Sequence, residues 1–415
     1  MTCHLNLRHG KLSGRLCRTI VSLGLCAAII PALCGCKGSG KGNTAPDNSL
    51  QITESEIIKF DGSMLDCMLD SFEVIYLDDS REALVSDISD IRYDDGRFFI
   101  LSTGGWENSS VMVFDSTGHY LHNIGHQGNA SYEYNNLSGW TLDPVRNEVI
   151  IVQLYPSQIY YYGYDGKFLR KRSIGESDIT FSTDRIHGFM PDGTLLLKNH
   201  LHTYPVDDYV MIRPNDSISV PFDRRDYKMG QIEDWQGDYS IEYEGFCTAN
   251  ASDDIWLMRR FDNHIYRICG IDSIECVANL SFVEELPEDV RRDFNFMGDK
   301  YFSSILSDIT DTRDFMIIKY SDGAEYIFEK STSKVYRSTW NDQTFKRIPF
   351  ASTKGCYDNT LIGLIDIMDA ENWLTSNQDD DSDDRSDDSV RAVFSKAARR
   401  DNPTLLLYHL KSPEL

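Results

Sequence analysis

Cysteine is scarce where a fold would need it. Cys3, Cys17, Cys26, Cys34 and Cys36 crowd into the first 36 of 415 residues, which leaves Cys67, Cys247, Cys269, Cys276 and Cys356 for the body. No CxxC pair occurs, so neither a disulfide framework nor a cysteine zinc site is written into the chain. Cys269 and Cys276 are spaced to bridge a hairpin, but buried thiols are the simpler expectation. A chain of this length buries roughly three quarters of its unfolded surface and needs no covalent staple. Positive charge is also short. Against 65 Asp and Glu stand 41 Lys and Arg, a formal charge of -24. That argues against a nucleic-acid partner, whose phosphates want a basic stripe, and disfavours electrostatic docking on anionic lipid. Catalytic signatures are missing too: no Gly-x-Ser-x-Gly, Ser-x-x-Lys, His-Glu-x-x-His or P-loop occurs. Carboxylates are so plentiful that no pair stands out for acid–base work, and no motif calls for a cofactor.

What is present begins with a targeting pattern. Arg8, Lys11, Arg15 and Arg18 precede an apolar stretch from Thr19 to Ile30, too short to span a bilayer as a mature helix. Leu33-Cys34-Gly35-Cys36 follows. These features read residues 1–35 as a signal peptide and 36–50, rich in Gly, Ser, Asn and Asp, as a flexible tether. Removing 1–35 leaves 37 basic against 65 acidic residues, a formal -28.

From there the chain repeats itself. Ile88 to Tyr134 holds four short apolar runs, Ile88 to Tyr93, Arg97 to Leu101, Val111 to Phe114 and Tyr120 to Ile124. Asp95-Gly96 and Asp115-x-x-Gly118 sit between them as tight-turn residues. This is a four-stranded antiparallel meander. Related units recur around Trp140 to Ile174, Gly188 to Ile212, Tyr243 to Ile268, Asp314 to Tyr336 and Phe350 to Ile365, at a period of about 55 residues. Asp-Gly turns at 95, 165, 192 and 322 are expected at one common place in the hairpin. The fold class is all-β: residues 51–415 form a six-bladed β-propeller of four-stranded antiparallel blades, without WD40 or kelch signatures. The apolar terminal run Pro403 to Leu410 is expected to close the ring by pairing with strands from Asp47 to Leu77.

Three interruptions are expected. Asp223 to Tyr243 is a polar insertion around Trp235. Leu286 to Ile309 has helical character, with Pro287 suited to a first turn and Glu288 and Asp289 complementing the dipole. The acidic run Gln378 to Asp388 reads as a disordered loop, followed by a short helix from Ser389 to Arg400.

Leu33-Cys34-Gly35-Cys36 resembles the bacterial lipobox, which implies a lipid on Cys36. Lys37 after it implies the outer rather than the inner membrane, with periplasmic and surface display both open. The body resembles the six-bladed propeller lipoproteins of Bacteroides-type bacteria, distantly similar to NHL-type and TolB-type propellers. The matching stretches are Leu84 to Ile91, Phe114 to Leu121, Ile124-Gly-His-Gln-Gly128, Asp262-Asn-His-Ile-Tyr-Arg-Ile268 and Asp401-Asn-Pro-Thr-Leu-Leu-Leu-Tyr-His-Leu-Lys411. Where that family runs on as Gly-Pro-Gly-Glu-Tyr, this chain has Asn129-Ala-Ser-Tyr-Glu-Tyr134. The resemblance implies a fold and an envelope location but no settled activity.

Candidate ligand-binding residues are those in inferred loops at one mouth of the ring: Trp106, His126, Gln127, Tyr132, Glu133, Tyr134, Tyr155 and Trp235. Aromatic rings with carboxylates suit a glycan, a peptide or a membrane-protein partner, and inter-blade packing is the competing use for each ring. His119 and His122 point to opposite faces if both lie in a strand, and His200 and His202 share a face but lack a third ligand, so no metal is expected. The expectation is a lipid-anchored, non-catalytic binding module of the cell envelope. The alternative is a lyase or hydrolase working in the central channel with a divalent ion.

Overall fold

A computed structural model describes residues 49–60, 67–104, 109–153, 157–173, 185–190, 192–198, 209–215, 217–219, 244–247, 255–258, 263–268, 274–284, 306–320, 322–338, 352–376 and 385–412. The chain enters through β1 (Leu50–Ile52), β2 (Ile58–Phe60) and β3 (Leu69–Tyr76). Blade I follows as β4 (Asp87–Asp94), β5 (Arg97–Thr103), β6 (Ser109–Asp115) and β7 (Tyr120–Ile124). Blade II is β8 (Gly139–Asp143), β9 (Glu148–Gln153), β10 (Gln158–Gly163) and β11 (Phe168–Ser173). Blade III is β12 (Arg185–Phe189), β13 (Leu195–Lys198), β14 (Tyr209–Ile212) and β15 (Ile218–Ser219). After β16 (Glu244–Cys247), blade IV holds β17 (Ile255–Met258), β18 (His264–Ile268) and β19 (Ile274–Leu280). Blade V holds β20 (Leu306–Asp311), β21 (Phe315–Tyr320), β22 (Glu325–Glu329) and β23 (Lys334–Ser338). Blade VI holds β24 (Ser352–Tyr357), β25 (Thr360–Ile365) and β26 (Thr404–Leu410).

Among the described residues six buried clusters, one per seam, close these sheets into a ring. Phe99 and Val113 meet Trp140 and Ile151 between I and II, and Ile150 meets Leu195 between II and III. Leu196 meets Leu257 between III and IV, Ile265 meets Ile318 between IV and V, and Ile317 meets Leu361 between V and VI. Ile362 and Leu405 meet Ile91 and Ile100 to complete the circle. A strand that faces a neighbouring blade on each side has no wet face, so β9 (Glu-Val-Ile-Ile-Val-Gln) is buried along its whole length. The fold is a six-bladed β-propeller.

Closure is more extensive than a single terminal strand. β3 pairs antiparallel with β26, Thr404 opposite Tyr76 and Leu407 opposite Glu73, as the apolar terminal run suggested. The two strands before it run elsewhere. β1 lies parallel on β19 of blade IV, and β2 lies parallel on β23 of blade V. The N-terminal segment thus laps the rims of blades IV, V and VI before starting blade I. Ile52 and Ile57 join the IV/V core, and Phe60 joins the V/VI core.

Several expectations are corrected. β16 pairs in parallel with β20 of blade V rather than serving as the first strand of blade IV. Inner strands all run the same way and converge at the ring centre, so parallel bonding between neighbouring blades is open to them. Leu306 to Ile309 is strand, not the end of a helix, and 286–305 lies outside the described residues. The Asp-Gly turns do not share one place: 95 and 192 join first to second strands, 165 joins third to fourth, and 322 joins second to third. Blade VI carries two helices between β25 and β26, α1 (Ile367–Ser376), which the sequence pattern missed, and α2 (Arg385–Ala397), close to the expected helix. Trp373 packs on Phe394 at 4.4 Å. Asp387 and Asp388, expected in the acidic loop, lie within α2. Among the described residues no helix is long and apolar enough to cross a membrane.

The first strand of blades I, III, V and VI carries a bulge opposite its second strand, skipping Ser89, His187, Ser307 and Lys354. The residue after the skip is Asp90, Gly188, Asp308 or Gly355. Glycine is required at the last of these, because a Cβ on Gly355 would stand 1.9 Å from the Ile91 carbonyl oxygen across the VI/I seam. Backbone cannot retreat as a side chain can. Gly355→Ala is expected to lower unfolding free energy by about 3 kcal/mol, while Gly188→Ala, whose Cβ would meet the Ile255 side chain, Cδ1 nearest at 2.7 Å, costs about 1. Urea melts of both variants check the ranking.

Two asparagines hold blade ends together. Asn402, 1% exposed, accepts from Val85 N at 2.8 Å and donates through Nδ2 to the carbonyls of Asp78 at 2.5 Å and Ala83 at 2.7 Å. Asn263 donates to the Val283 carbonyl at 2.8 Å. Asn402 opens β26, the third strand of blade VI, and binds the segment that follows β3, while Asn263 opens β18 of blade IV and binds the segment that follows β19. Both follow an aspartate in the quoted Asp-Asn doublets.

Candidate functional site: the blade-connection face

An antiparallel meander sorts its connections by face. First-to-second and third-to-fourth turns emerge on one side of the ring, and second-to-third and blade-to-blade connections emerge on the other. The first side is built of tight hairpins such as Asp95-Gly96 and Asp115 to Gly118, whose φ values at Asp95, Gly96 and Gly118 are positive. The second carries the longer segments, including Gly125 to Ser138, the α1–α2 insertion and Leu77 to Ser86. The strands that flank Trp106, Tyr155 and Trp235 end on this second face, and those three residues lie outside the described ones.

The loop from Gly125 to Ser138 is held mainly by itself. Gly125 turns with φ +60 against the Tyr162 ring, where a Cβ would come within 2.6 Å. Gly128 N donates to the Tyr134 carbonyl at 3.0 Å, and Tyr134 N donates to the His126 carbonyl at 3.3 Å. Gln127 Nε2 donates to the Asn135 carbonyl at 2.7 Å, and Asn135 N donates to Gln153 Oε1 at 2.7 Å. Glu133 folds inward. Its Oε2 accepts from Ala130 N at 2.9 Å and lies 2.1 Å from where a Gly128 Cβ would be. Glu133 and Gly128 therefore fit one another, and Glu133 is a loop clasp.

Tyr134 is a correction to the expected binding set. It is fully buried in the I/II seam, its ring 6.3 Å from Tyr162 and 6.5 Å from Tyr160, with its hydroxyl directed at the Ser109 carbonyl. Burial pushes its phenol pKa up. It has no surface to offer a ligand and takes the packing role instead. Tyr132, 52% exposed, and His126 remain outward, on a backbone pinned where the Tyr162 hydroxyl donates to the Tyr132 carbonyl at 2.8 Å. A ring and an imidazole on a fixed backbone can stack and hydrogen-bond without ordering a loop first.

The histidines weighed for metal are placed apart. His119 follows the Gly118 turn rather than lying in a strand, and His122 Nε2 meets the Tyr164 carbonyl at 2.9 Å. His200 and His202 lie outside the described residues, among which no group of three or more potential ligands converges.

Sequence reading missed the interior charges. Arg92, 7% exposed on β4, reaches Asp90 at 3.2 Å and donates to Thr141 Oγ1 of blade II at 2.6 Å, with its guanidinium 5.0 Å from the Trp140 ring centre. On the hairpin side of blade V, Lys330 Nζ lies 2.6 Å from Asp311 Oδ1 and donates to the Thr312 carbonyl at 2.5 Å. Burial drives the Asp311 carboxyl up to about 6, against the pull of Lys330. The first ties blade I to blade II; the second joins strand ends within blade V, with Lys330 Nζ also 5.1 Å from the Trp256 ring centre of blade IV.

The ring and its two unequal faces define a six-bladed β-propeller. The sequence pattern of the family described as "Domain of unknown function (DUF4934)" matches residues 55–409, and the chain belongs to that family. No functionally described protein matches it in sequence. It is similar in structure to a candidate exported protein of Bacteroides fragilis, 18% identical, with a TM-score of 0.63 over 88% of this chain and 99% of that one. A DUF4221 member from Bacteroides vulgatus superposes more loosely, at 9% identity and a TM-score of 0.48 over 83% and 97%.

Proposed function

We propose that this DUF4934 propeller is a non-catalytic binding module of the cell envelope. It is held to the outer membrane by a lipid on Cys36, and its blade-connection face engages a glycan, a peptide or an envelope protein. The observation that carries the reading is the inequality of the two faces. One is closed by tight turns, while the other carries a self-bonded loop that holds Tyr132 and His126 outward. The targeting pattern of residues 1–36 supports the location, as does likeness in fold to a protein described as exported. The same reading makes the chain a distant relative of NHL-type and TolB-type propellers.

The test is a glycan and peptide array probed with the wild type and with a Tyr132→Ala/His126→Ala double variant. A ligand retained by the wild type is expected to lose at least tenfold in affinity in the variant. Ligands held equally by both proteins would refute this face as the site. A rise in melting temperature with calcium or zinc alone would favour channel chemistry instead.

A further inference from the structure

We propose that the outer edge of blade II, strand β11, is a docking strand for an extended acidic segment of a partner protein, which adds to it as a fifth strand. This surface is distinct from the blade-connection face.

Three observations carry the proposal. The fold itself shows that its rims accept an added strand: blade V already has four strands, and β2 lies on its outer edge as another, Ile58 opposite Tyr336 and Phe60 opposite Ser338. The N-terminal segment supplies such rim strands to blades IV to VI only, so the rims of blades I to III carry none from it. Among those three, β11 is the longest, and none of its six residues is buried. An outermost strand turns a row of backbone N–H and C=O groups away from its own sheet, which is the template for strand addition.

Charge selects the partner. In a protein of formal charge -24, the sequence Lys167-Phe-Leu-Arg-Lys-Arg172 gathers four cations on one edge. Asp165 pairs with Lys167 at 2.5 Å and Glu148 with Arg170 at 2.7 Å, so two carboxylates face four cations. Arg172 also donates to the carbonyls of Arg213 and Pro214 in blade III. Lys171 lies over the Tyr160 ring at 5.5 Å, and Arg170 over Tyr161 at 3.9 Å, which stiffens both side chains along the strand. Phe168 and Leu169, 37% and 48% exposed, interrupt the cations with apolar surface. Cations on an edge commonly guard against self-pairing. Here they do so by setting like charges opposite one another if two copies of β11 meet, and the same arrangement welcomes an acidic strand.

The experiment uses the full-length protein and three probes: a ten-residue peptide alternating glutamate with valine and threonine, the same peptide with lysine for glutamate, and heparin. The glutamate peptide is expected to bind and to slow amide exchange across 168–173. A Lys167→Glu/Lys171→Glu variant should lose at least tenfold in affinity for it and gain binding of the lysine peptide. Both lysines are exposed, so the variant keeps its core, and Lys167→Met/Lys171→Met should fall between. Equal affinity in all variants would overturn the proposal. So would binding without protection of the 168–173 amides, or heparin matching the peptide in every readout, because either result reduces β11 to a charged patch.

Discussion

Lys330→Met should lower unfolding free energy by about 3–5 kcal/mol at pH 8 and by roughly half of that at pH 5. The pair it breaks is almost wholly buried, Lys330 with 9% and Asp311 with 5% of their side chains exposed. Removing the lysine leaves a carboxylate in the interior without a counter-charge. The pH dependence follows from the direction of the Asp311 shift. Its folded carboxyl titrates near 6, above the 3.8 of an ordinary aspartate, so the folded state holds the proton more tightly than the unfolded state does. Stability from this group is fully present below the unfolded value and is lost as pH rises through the folded one. Without Lys330 the folded value climbs further, so at pH 5 the variant escapes much of the penalty by staying protonated. The double variant Lys330→Met/Asp311→Asn should recover much of the loss at pH 8, since a neutral replacement leaves no bare charge. Urea unfolding at the two pH values decides it. An equal loss at both would show that the lysine contributes packing alone.

The second large effect is expected at Asn402. Alanine there removes three side-chain hydrogen bonds at once and strands Val85 N–H and the carbonyls of Asp78 and Ala83. Buried groups left without partners cost about 1–3 kcal/mol each, and partial rehydration brings the expected total to about 3–4. Asn402→Asp should be no better, because it exchanges a donor for a carboxylate facing two carbonyl oxygens. Asn263→Ala, with one such bond to Val283, should cost about 1. Amide exchange gives the sharper reading. In Asn402→Ala, β26 and β3 should lose protection together while blade II keeps its own. Uniform loss over the ring would point to general destabilisation rather than a failed closure.

Much of the architecture was legible because a blade writes itself locally. Asp95-Gly96 and the apolar runs on either side specify a hairpin within a dozen residues, and the buried strands announce themselves by continuous apolar content, as in Val149 to Val152. Even the partner of β26 could be guessed, since an apolar terminal run must be covered. The rim strands β1 and β2 were not legible. Each has three residues, and their register is set by β19 and β23, more than two hundred residues away in sequence. The helix α1 was missed although its signal was present: Asp366 stands where a cap belongs, accepting from Asp369 N at 2.7 Å. Its position directly after the apolar β25 hid it. In the candidate site the error had one cause. Tyr134 lies in a polar stretch and read as a loop residue, but loops between blades must drop anchors into the seams they cross. Glu133 looked like a free carboxylate for the same reason, because a clasp and a ligand group are spelled alike.

The half lap at the rim also gives the molecule a mechanical order. A load applied ahead of Leu50 meets β1 first, then β2, each held to its neighbour over three residue pairs. Only afterwards does it reach β3, which is paired with β26 along its length. The two short strands therefore act as a fuse in series with the clasp of the ring. They are expected to peel first under such a load, while the six blades stay locked.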